Sequence, residues 1–129
     1  MIVHGQMHGA VAQGIGQALT ERCVYDAASG QLLSGSFLDY AILRADELPS
    51  ISVTSRDVPS PTNPLGVKGA GEGGTVGAPG AVIHAILDAL AHLGVTHIDM
   101  PATPESVWEA IQQADQNGRD ARRRPKAGA

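Results

Sequence analysis

Residues 65–77 read Leu-Gly-Val-Lys-Gly-Ala-Gly-Glu-Gly-Gly-Thr-Val-Gly, and the rest of the chain is best interpreted outward from this stretch. Six of its thirteen residues are glycine. Glycine loses more conformational freedom on folding than any other residue, and close approach of bare backbone to a bound molecule is a common reason for its use. Gly71 and Gly73 flank Glu72, so one carboxylate can project into such a molecule. The stretch is therefore predicted to be an active-site or cofactor loop.

Glu72 is the candidate catalytic residue of this loop. A carboxylate covered by a bound cofactor loses water, which makes it a stronger base. The alternative is a surface carboxylate in a flexible loop, which would gain nothing from flanking glycines. The spacing Gly69-x-Gly71-x-x-Gly74 also matches the dinucleotide fingerprint, but that fingerprint should follow a strand directly. Prolines precede it here, and the carboxylate would repel phosphate, so a Rossmann site is disfavoured.

Three segments carry apolar residues at helical spacing. Pro79 suits a first helical turn, and Gly94 suits a C-terminal stop. Thr103 is a typical N-cap residue, followed by Pro104 at the first helical position. The predicted helices cover residues 6–20, 79–93 and 104–114.

Strand-like segments lie between these helices. Residues 25–33 resemble two short strands around a turn, residues 50–58 alternate as a strand does, and residues 95–100 form a short apolar run. The sequence thus predicts an α+β fold in which three main helices pack on a small mixed sheet, with the glycine loop at one edge.

Composition sets the domain organisation. The chain has 129 residues, of which 43% are apolar and 3% aromatic, so one domain with an aliphatic core is expected. Residues 119–129 hold five of the nine basic residues, and the preceding part has 4 basic and 12 acidic groups. We predict a domain over residues 1–117 and a disordered basic tail over 118–129. A nucleic-acid arm is the alternative, but no aromatic residue is interleaved for base stacking, so no nucleic-acid partner is predicted.

Cysteine and hydropathy bear on location. A single cysteine, Cys23, excludes an internal disulfide and is weakly typical of a reducing compartment. We expect it to be buried and structural rather than catalytic. No run of 18 apolar residues is present, and His4 and His8 stand where a signal peptide would be apolar. These features predict a soluble, cytoplasmic protein without a membrane span.

Two groups of histidines have the spacing of metal ligands. His84, Asp88 and His92 fall on one helical stripe, which could hold a metal or form a solvated helix face. We favour the solvated face and predict no directly bound metal ion. His4 and His8 could likewise be ligands, but hydrogen bonds within the fold are commoner.

Four segments, in this order, resemble the molybdenum hydroxylases, the family of xanthine dehydrogenase, aldehyde oxidase and aerobic carbon monoxide dehydrogenase. Gly5-Gln6-Met7-His8-Gly9 opens a segment similar to the family's pterin-contacting helix, and the loop from Lys68 to Gly74 is similar to its active-site loop. Both look most like the carbon-monoxide-dehydrogenase-type branch. The four segments are residues 5–19, 35–40, 66–77 and 101–108.

This resemblance implies roles for particular residues. Glu72 matches the family's active-site glutamate beside the molybdenum, where it acts as a base, and Gln6 matches the glutamine that contacts the pterin. Lys68, Gly69, Ala70 and Gly71 match the loop whose backbone lies against the cofactor. The implied cofactor is molybdenum–molybdopterin, in its cytosine dinucleotide form, acting on a small-molecule substrate. FAD and 2Fe–2S clusters are implied on separate partner subunits.

The resemblance covers only the C-terminal part of the family's molybdopterin-binding domain. The chain is therefore expected to be a fragment, a split-gene product or a remnant, completed by the upstream part of the molybdenum subunit. A non-catalytic structural or assembly element is the alternative. The residues that would name the substrate lie upstream in the family.

Overall fold

Three helices form the framework of the protein. The computed structural model describes residues 1–123, with side chains described to residue 120. Short 3-10 turns occupy Ala45–Glu47 and Ala91–Leu93. The helices are α1 (Ile2–Leu19), α2 (Gly73–Leu90) and α3 (Pro104–Arg123).

Helices α1 and α2 pack closely through small residues. A Cβ added to Gly74 would lie 2.8 Å from the backbone nitrogen of Val11 and 2.9 Å from Ala10 Cβ. Four residues further along each helix, a Cβ on Gly14 would lie 2.8 Å from Ala78 Cβ. Because the contacts advance together on both helices, α1 and α2 run parallel. The missing side chains let the two backbones approach, which explains why α1 tolerates a glycine in its interior.

The apolar core lies between α2, α3 and the segment that joins them. Val95, Ile98 and Ala102 of that segment are buried, at 5%, 6% and 4% exposure. Ala102 also donates its backbone N–H to Ala18 O at 2.7 Å, which ties the segment to the end of α1. The side chains packed against this cluster are Leu19, Ile83, Ile86, Leu87, Leu90, Val107, Ala110, Ile111 and Ala114.

The ends of the second and third helices match several sequence signals. Gly94 adopts a left-handed conformation, with φ of 82°, directly after the 3-10 turn Ala91–Leu93 that continues α2. Thr103 Oγ1 accepts the backbone N–H of Ser106 at 3.2 Å, as an N-cap side chain does. Pro104 is the first residue of α3, as predicted.

Other helix bounds differ from the prediction. α1 begins at Ile2, and α2 begins at Gly73, six residues before Pro79. Pro79 therefore lies inside α2, and the prediction that it occupies the first turn is wrong. A proline there removes one backbone hydrogen bond, and packing along α1 keeps the helix continuous. α3 runs to Arg123, beyond the predicted end at 114 and into the predicted tail. Residues 124–129 of that tail lie outside the described residues.

The small mixed sheet is not confirmed. Within residues 1–123 no β-strand forms, and Tyr25 and Leu32 make one isolated antiparallel bridge. Around it, Asp26 N donates to Gln31 O at 2.8 Å, and Leu33 N donates to Val24 O at 2.7 Å. Residues 51–58 make no backbone–backbone hydrogen bond in the described part of the chain. A strand requires a hydrogen-bonded neighbouring backbone, and within residues 1–123 this segment has none.

One helical stretch, Gly73–Leu93, passes a length and hydropathy test for a membrane span, with mean hydropathy of 1.4. Length and composition alone are weak grounds, because the core helix of a water-soluble domain passes the same test. Here one face packs along α1 and against the core cluster, while His84 and Asp88 are exposed. The absence of a membrane span and the cytoplasmic location stay predictions.

Candidate functional site

Glu72 lies at the point where the glycine loop becomes helix α2. It is the N-cap residue, with φ of −111° and ψ of −8°, and its carbonyl accepts the N–H of Val76 at 3.0 Å. Its side chain makes no cap hydrogen bond. Within the described residues the exposed carboxylate has no hydrogen-bond or ion-pair partner. It is therefore free to act on a bound molecule.

Two contacts from α1 hold the chain on either side of Glu72. Gln6 Nε2 donates to Gly71 O at 3.0 Å. The hydroxyl of Thr75 donates to Ala10 O at 3.1 Å. The structure thus brings together two residues singled out in the sequence, Gln6 and Glu72, although they are 66 positions apart.

The loop before Glu72 leaves its backbone open. A Cβ added to Gly69 or Gly71 would meet no atom within 4 Å, and one added to Gly73 would meet only Met7 Cε at 3.9 Å. Ala70, between the first two, is half-buried. The loop glycines therefore fall into two groups: Gly74 is required for helix packing, and those around Glu72 leave backbone accessible to a ligand.

The segment that leads into the loop is held by its own hydrogen bonds. Asn63 brackets Val67, because its side chain accepts the Val67 N–H and donates to the Val67 carbonyl, both at 3.1 Å. Gly66 has φ of 65°, a conformation that favours glycine. Its carbonyl accepts the Ser60 N–H at 3.0 Å. This closed turn orients the entrance to the loop.

Lys68 borders a cavity of about 370 Å³ beside this turn. Arg56 and Asp57 line the same cavity. The other two basic residues of the first 118, Arg22 and Arg44, are ion-paired, whereas Lys68 and Arg56 have no acidic partner in the described part of the chain. Arg56 was not predicted as a site residue, although basic residues are scarce before residue 119 and each is therefore a candidate.

The histidines and the cysteine occupy ordinary structural positions. His8 lies between two carbonyl oxygens, with Nδ1 2.7 Å from His4 O and Nε2 3.0 Å from Ile51 O, and these carbonyls raise the pKa of His8. His84 and His92 are exposed, and no group of three potential metal-ligating side chains comes together within residues 1–123. Cys23 is exposed, so the prediction of a buried cysteine is wrong. It lines an open cavity together with Leu32, Phe37 and Tyr40.

Comparisons with known proteins agree with this geometry. The family profile described as Molybdopterin cofactor-binding domain matches residues 1–49. The large chain of carbon monoxide dehydrogenase from Hydrogenophaga pseudoflava is 38% identical over 113 residues, or 88% of this chain and 14% of that protein. The large subunit of nicotine 6-hydroxylase from Paenarthrobacter nicotinovorans is 45% identical over 111 residues, or 86% of this chain and 14% of that protein.

A solved structure extends the likeness from sequence to fold. The crystal structure of quinoline 2-oxidoreductase from Pseudomonas putida 86 superposes with a TM-score of 0.83 at 44% identity, covering 88% of this chain and 14% of that one. The chain belongs to the molybdenum hydroxylase family. It corresponds to the C-terminal region of the family's large subunit and spans 14% of the length of these relatives. The resemblance drawn from the four segments is thereby confirmed. The alternative of a dinucleotide-binding Rossmann site is not supported.

Proposed function

We propose that this chain supplies the catalytic base and part of the cofactor site of a molybdenum-dependent hydroxylase or dehydrogenase, completed by the upstream part of the subunit. The observation that carries the proposal is the setting of Glu72. Its carboxylate has no partner in the described chain, yet α1 holds the backbone on both sides of it. A carboxylate on a loop with no function would not need such positioning.

The residues around Glu72 fit a molybdopterin cofactor. Gln6 uses one amide hydrogen on Gly71 O and keeps its oxygen and second hydrogen for a pterin ring. The Lys68 ammonium suits a phosphate, which accords with the cytosine dinucleotide form of the cofactor. The backbone of Gly69 and Gly71 is free of side-chain cover. These hydrogen-bond donors and the lysine cation thus suit a ligand that consists of a polar heterocycle with a phosphate tail.

Each side chain then has a separate task. The bound cofactor supplies the redox chemistry, as cofactors do in such enzymes, and the protein supplies position and a base. The Glu72 carboxylate would accept the proton that the attacking hydroxyl group loses as its oxygen bonds to the substrate carbon. Gln6 and the loop of Lys68, Gly69, Ala70 and Gly71 fix the cofactor against α1. These contacts would fix the backbone on either side of Glu72, and with it the distance from the carboxylate to the reacting group.

The substrate is not encoded in this segment. The similar proteins are named for carbon monoxide, nicotine and quinoline. A segment shared among such different molecules serves their common chemistry, so substrate selection belongs to the upstream part. We propose that electrons leave through FAD and 2Fe–2S clusters on partner subunits. Residues 51–58, which make no backbone–backbone hydrogen bond in the described part of the chain, are proposed to join a mixed sheet with the rest of the subunit.

Substitution of Glu72 tests the proposal in the assembled, cofactor-loaded enzyme. Glu72→Gln fills the same space but cannot accept the proton, so turnover should fall by about 10²–10⁴ or more. Bound molybdenum should stay nearly unchanged. Gln6→Ala should instead lower the molybdenum content, because its proposed role is a hydrogen bond to the pterin. Turnover and metal content are measured on both variants side by side.

Glu109→Gln is the matched control, because Glu109 is an exposed carboxylate on α3 with no hydrogen-bond or ion-pair partner in the described chain. It should leave turnover and molybdenum content at wild-type values. Glu72→Gln with most of its activity, or with molybdenum lost as readily as in Gln6→Ala, contradicts the assignment of the base. Purified assembly free of molybdenum and pterin would favour the non-catalytic structural element instead.

A further inference from the structure

We propose that Gln6 is a positioning residue for Glu72, acting through the peptide bond that precedes it. This inference rests on the proposed role of Glu72 as the base. The hydrogen bond from Gln6 Nε2 ends on Gly71 O at 3.0 Å. That oxygen belongs to the peptide unit joining Gly71 to Glu72. The amide therefore orients the plane from which the Glu72 side chain departs.

The loop has little else to hold it. Within the described residues, the Gln6 contact is the hydrogen bond that reaches the backbone of residues 68–71. The glycines at 69 and 71 offer no side chain for packing, and their surroundings are open to 4 Å. A glycine-rich backbone without packing samples many conformations. One hydrogen bond thus accounts for the order of the loop on the N-terminal side of Glu72.

The C-terminal side of Glu72 is held by contacts between the first turn of α2 and the next turn of α1. The Thr75 hydroxyl donates to Ala10 O at 3.1 Å, and Gly74 packs on Ala10 so closely that a Cβ would lie 2.9 Å from Ala10 Cβ. Gln6 and Ala10 are one helical turn apart. Helix α1 is therefore a rigid template with one contact before the base and one after it. Preorganisation of this kind is needed because a catalytic group misplaced by about 1 Å loses much of its rate.

The direction of the Gln6 amide is set by its partner. A carbonyl oxygen only accepts, so the nitrogen of the amide must face Gly71. The amide oxygen then points away from the loop and remains available to the cofactor. The same side chain thus joins the base to the cofactor.

NMR relaxation of the chain prepared without cofactor reports backbone order and tests the tether without any need for activity. Gln6→Met keeps the length of the side chain and removes the donor. Loss of the hydrogen bond should lower the order parameters of the amides at residues 69–73 from about 0.85, the value of a rigid backbone, to below about 0.6, the value of a flexible one. Gln17→Met is the matched control, because Gln17 is an exposed glutamine three turns further along α1 whose side chain makes no hydrogen bond in the described chain. It should leave the order parameters of the loop unchanged, with equal association states checked by size-exclusion chromatography.

Gln6→Glu gives a pH-dependent version of the same test. An ionised carboxylate repels the Gly71 carbonyl, whereas a protonated carboxyl can donate its O–H to it. The order parameters at residues 69–73, relative to wild type at the same pH, should be low near neutral pH. They should return to the wild-type values below about pH 4, where the carboxyl is protonated. A residue that merely fills space would show no such recovery.

Two results would overturn the tether. One is Gln6→Met with loop order parameters equal to those of wild type. The other is lower order spread through α1 and α2, which would mean that Gln6 stabilises the helix pair and not the loop. Neither depends on Glu72 being the base. Conversely, an active Glu72→Gln enzyme would remove the proposed function and leave the result on loop order unchanged.

Discussion

At the scale of single residues, the His8 side chain connects α1 to Ile51 through hydrogen bonds that depend on its charge. Both ring nitrogens face carbonyl oxygens, those of His4 and Ile51. Only the imidazolium can donate from both nitrogens, and the two carbonyls therefore raise the pKa of His8 above its ordinary value of 6.5. A raised pKa in the folded state stabilises the protein fully below the unfolded value. That contribution is lost as the pH rises through the folded value.

We therefore expect the stability of the chain to fall more steeply above pH 6.5 than in a variant without this imidazole. His8→Gln should lose that part of the pH dependence. The check is the free energy of unfolding in urea at several pH values between 6 and 8. His84→Gln removes an exposed histidine of α2 and should keep the wild-type dependence. Equal slopes for wild type and His8→Gln would show that the paired carbonyls do not hold a proton on His8.

At the scale of elements, the parallel packing of α1 and α2 depends on the absence of a side chain at Gly74. Its three nearest neighbours are all backbone or Cβ atoms of Ala10 and Val11, at 2.8–3.1 Å from an added Cβ. None of these atoms can rotate away. By contrast, a Cβ on Gly80 of the same helix would meet nothing within 4 Å. Substitution of Gly74 thus tests helix packing, whereas substitution of Gly80 tests helix propensity.

Gly74→Ala should destabilise the fold by about 1–3 kcal/mol, because the helices must move apart. Gly80→Ala should stabilise it by up to about 1 kcal/mol, because alanine is the better helix former at an open position. Thermal unfolding followed by circular dichroism measures both. A Gly74→Ala variant that is as stable as wild type would mean that α1 and α2 are not in contact at Ala10.

At the scale of the whole molecule, the described chain leaves much apolar surface uncovered. The exposed fractions of Ile2, Phe37, Leu38 and Leu65 are 85%, 83%, 93% and 85%. Among residues 1–120, no large side chain is buried below 2% exposure. Large exposed apolar patches mark contact surfaces. The chain spans 14% of its relatives, and the remaining part of the subunit is the cover that we propose for these patches.

We expect the isolated chain to self-associate and to bind a hydrophobic dye. Addition of the upstream part of the subunit should reduce the dye signal and shift the chain into a defined complex. Size-exclusion chromatography and dye fluorescence, with and without that part, measure this. A compact monomer that binds no dye would contradict the expectation. It would show that the exposed apolar residues do not form a contact surface.

The sequence by itself determined the family and the local signals. Four motifs in order named the molybdenum hydroxylases, and Gly94, Thr103 and Pro104 marked helix ends correctly, because turn and cap chemistry depends on neighbouring residues. Tertiary structure decided the rest. Only packing showed that Gly74 serves helix contact and that Pro79 lies within α2. Strand patterns in 50–58 formed no sheet, because pairing requires a second backbone. The contact of Gln6 with Gly71 joins residues 65 positions apart, and no local pattern encodes such a distance.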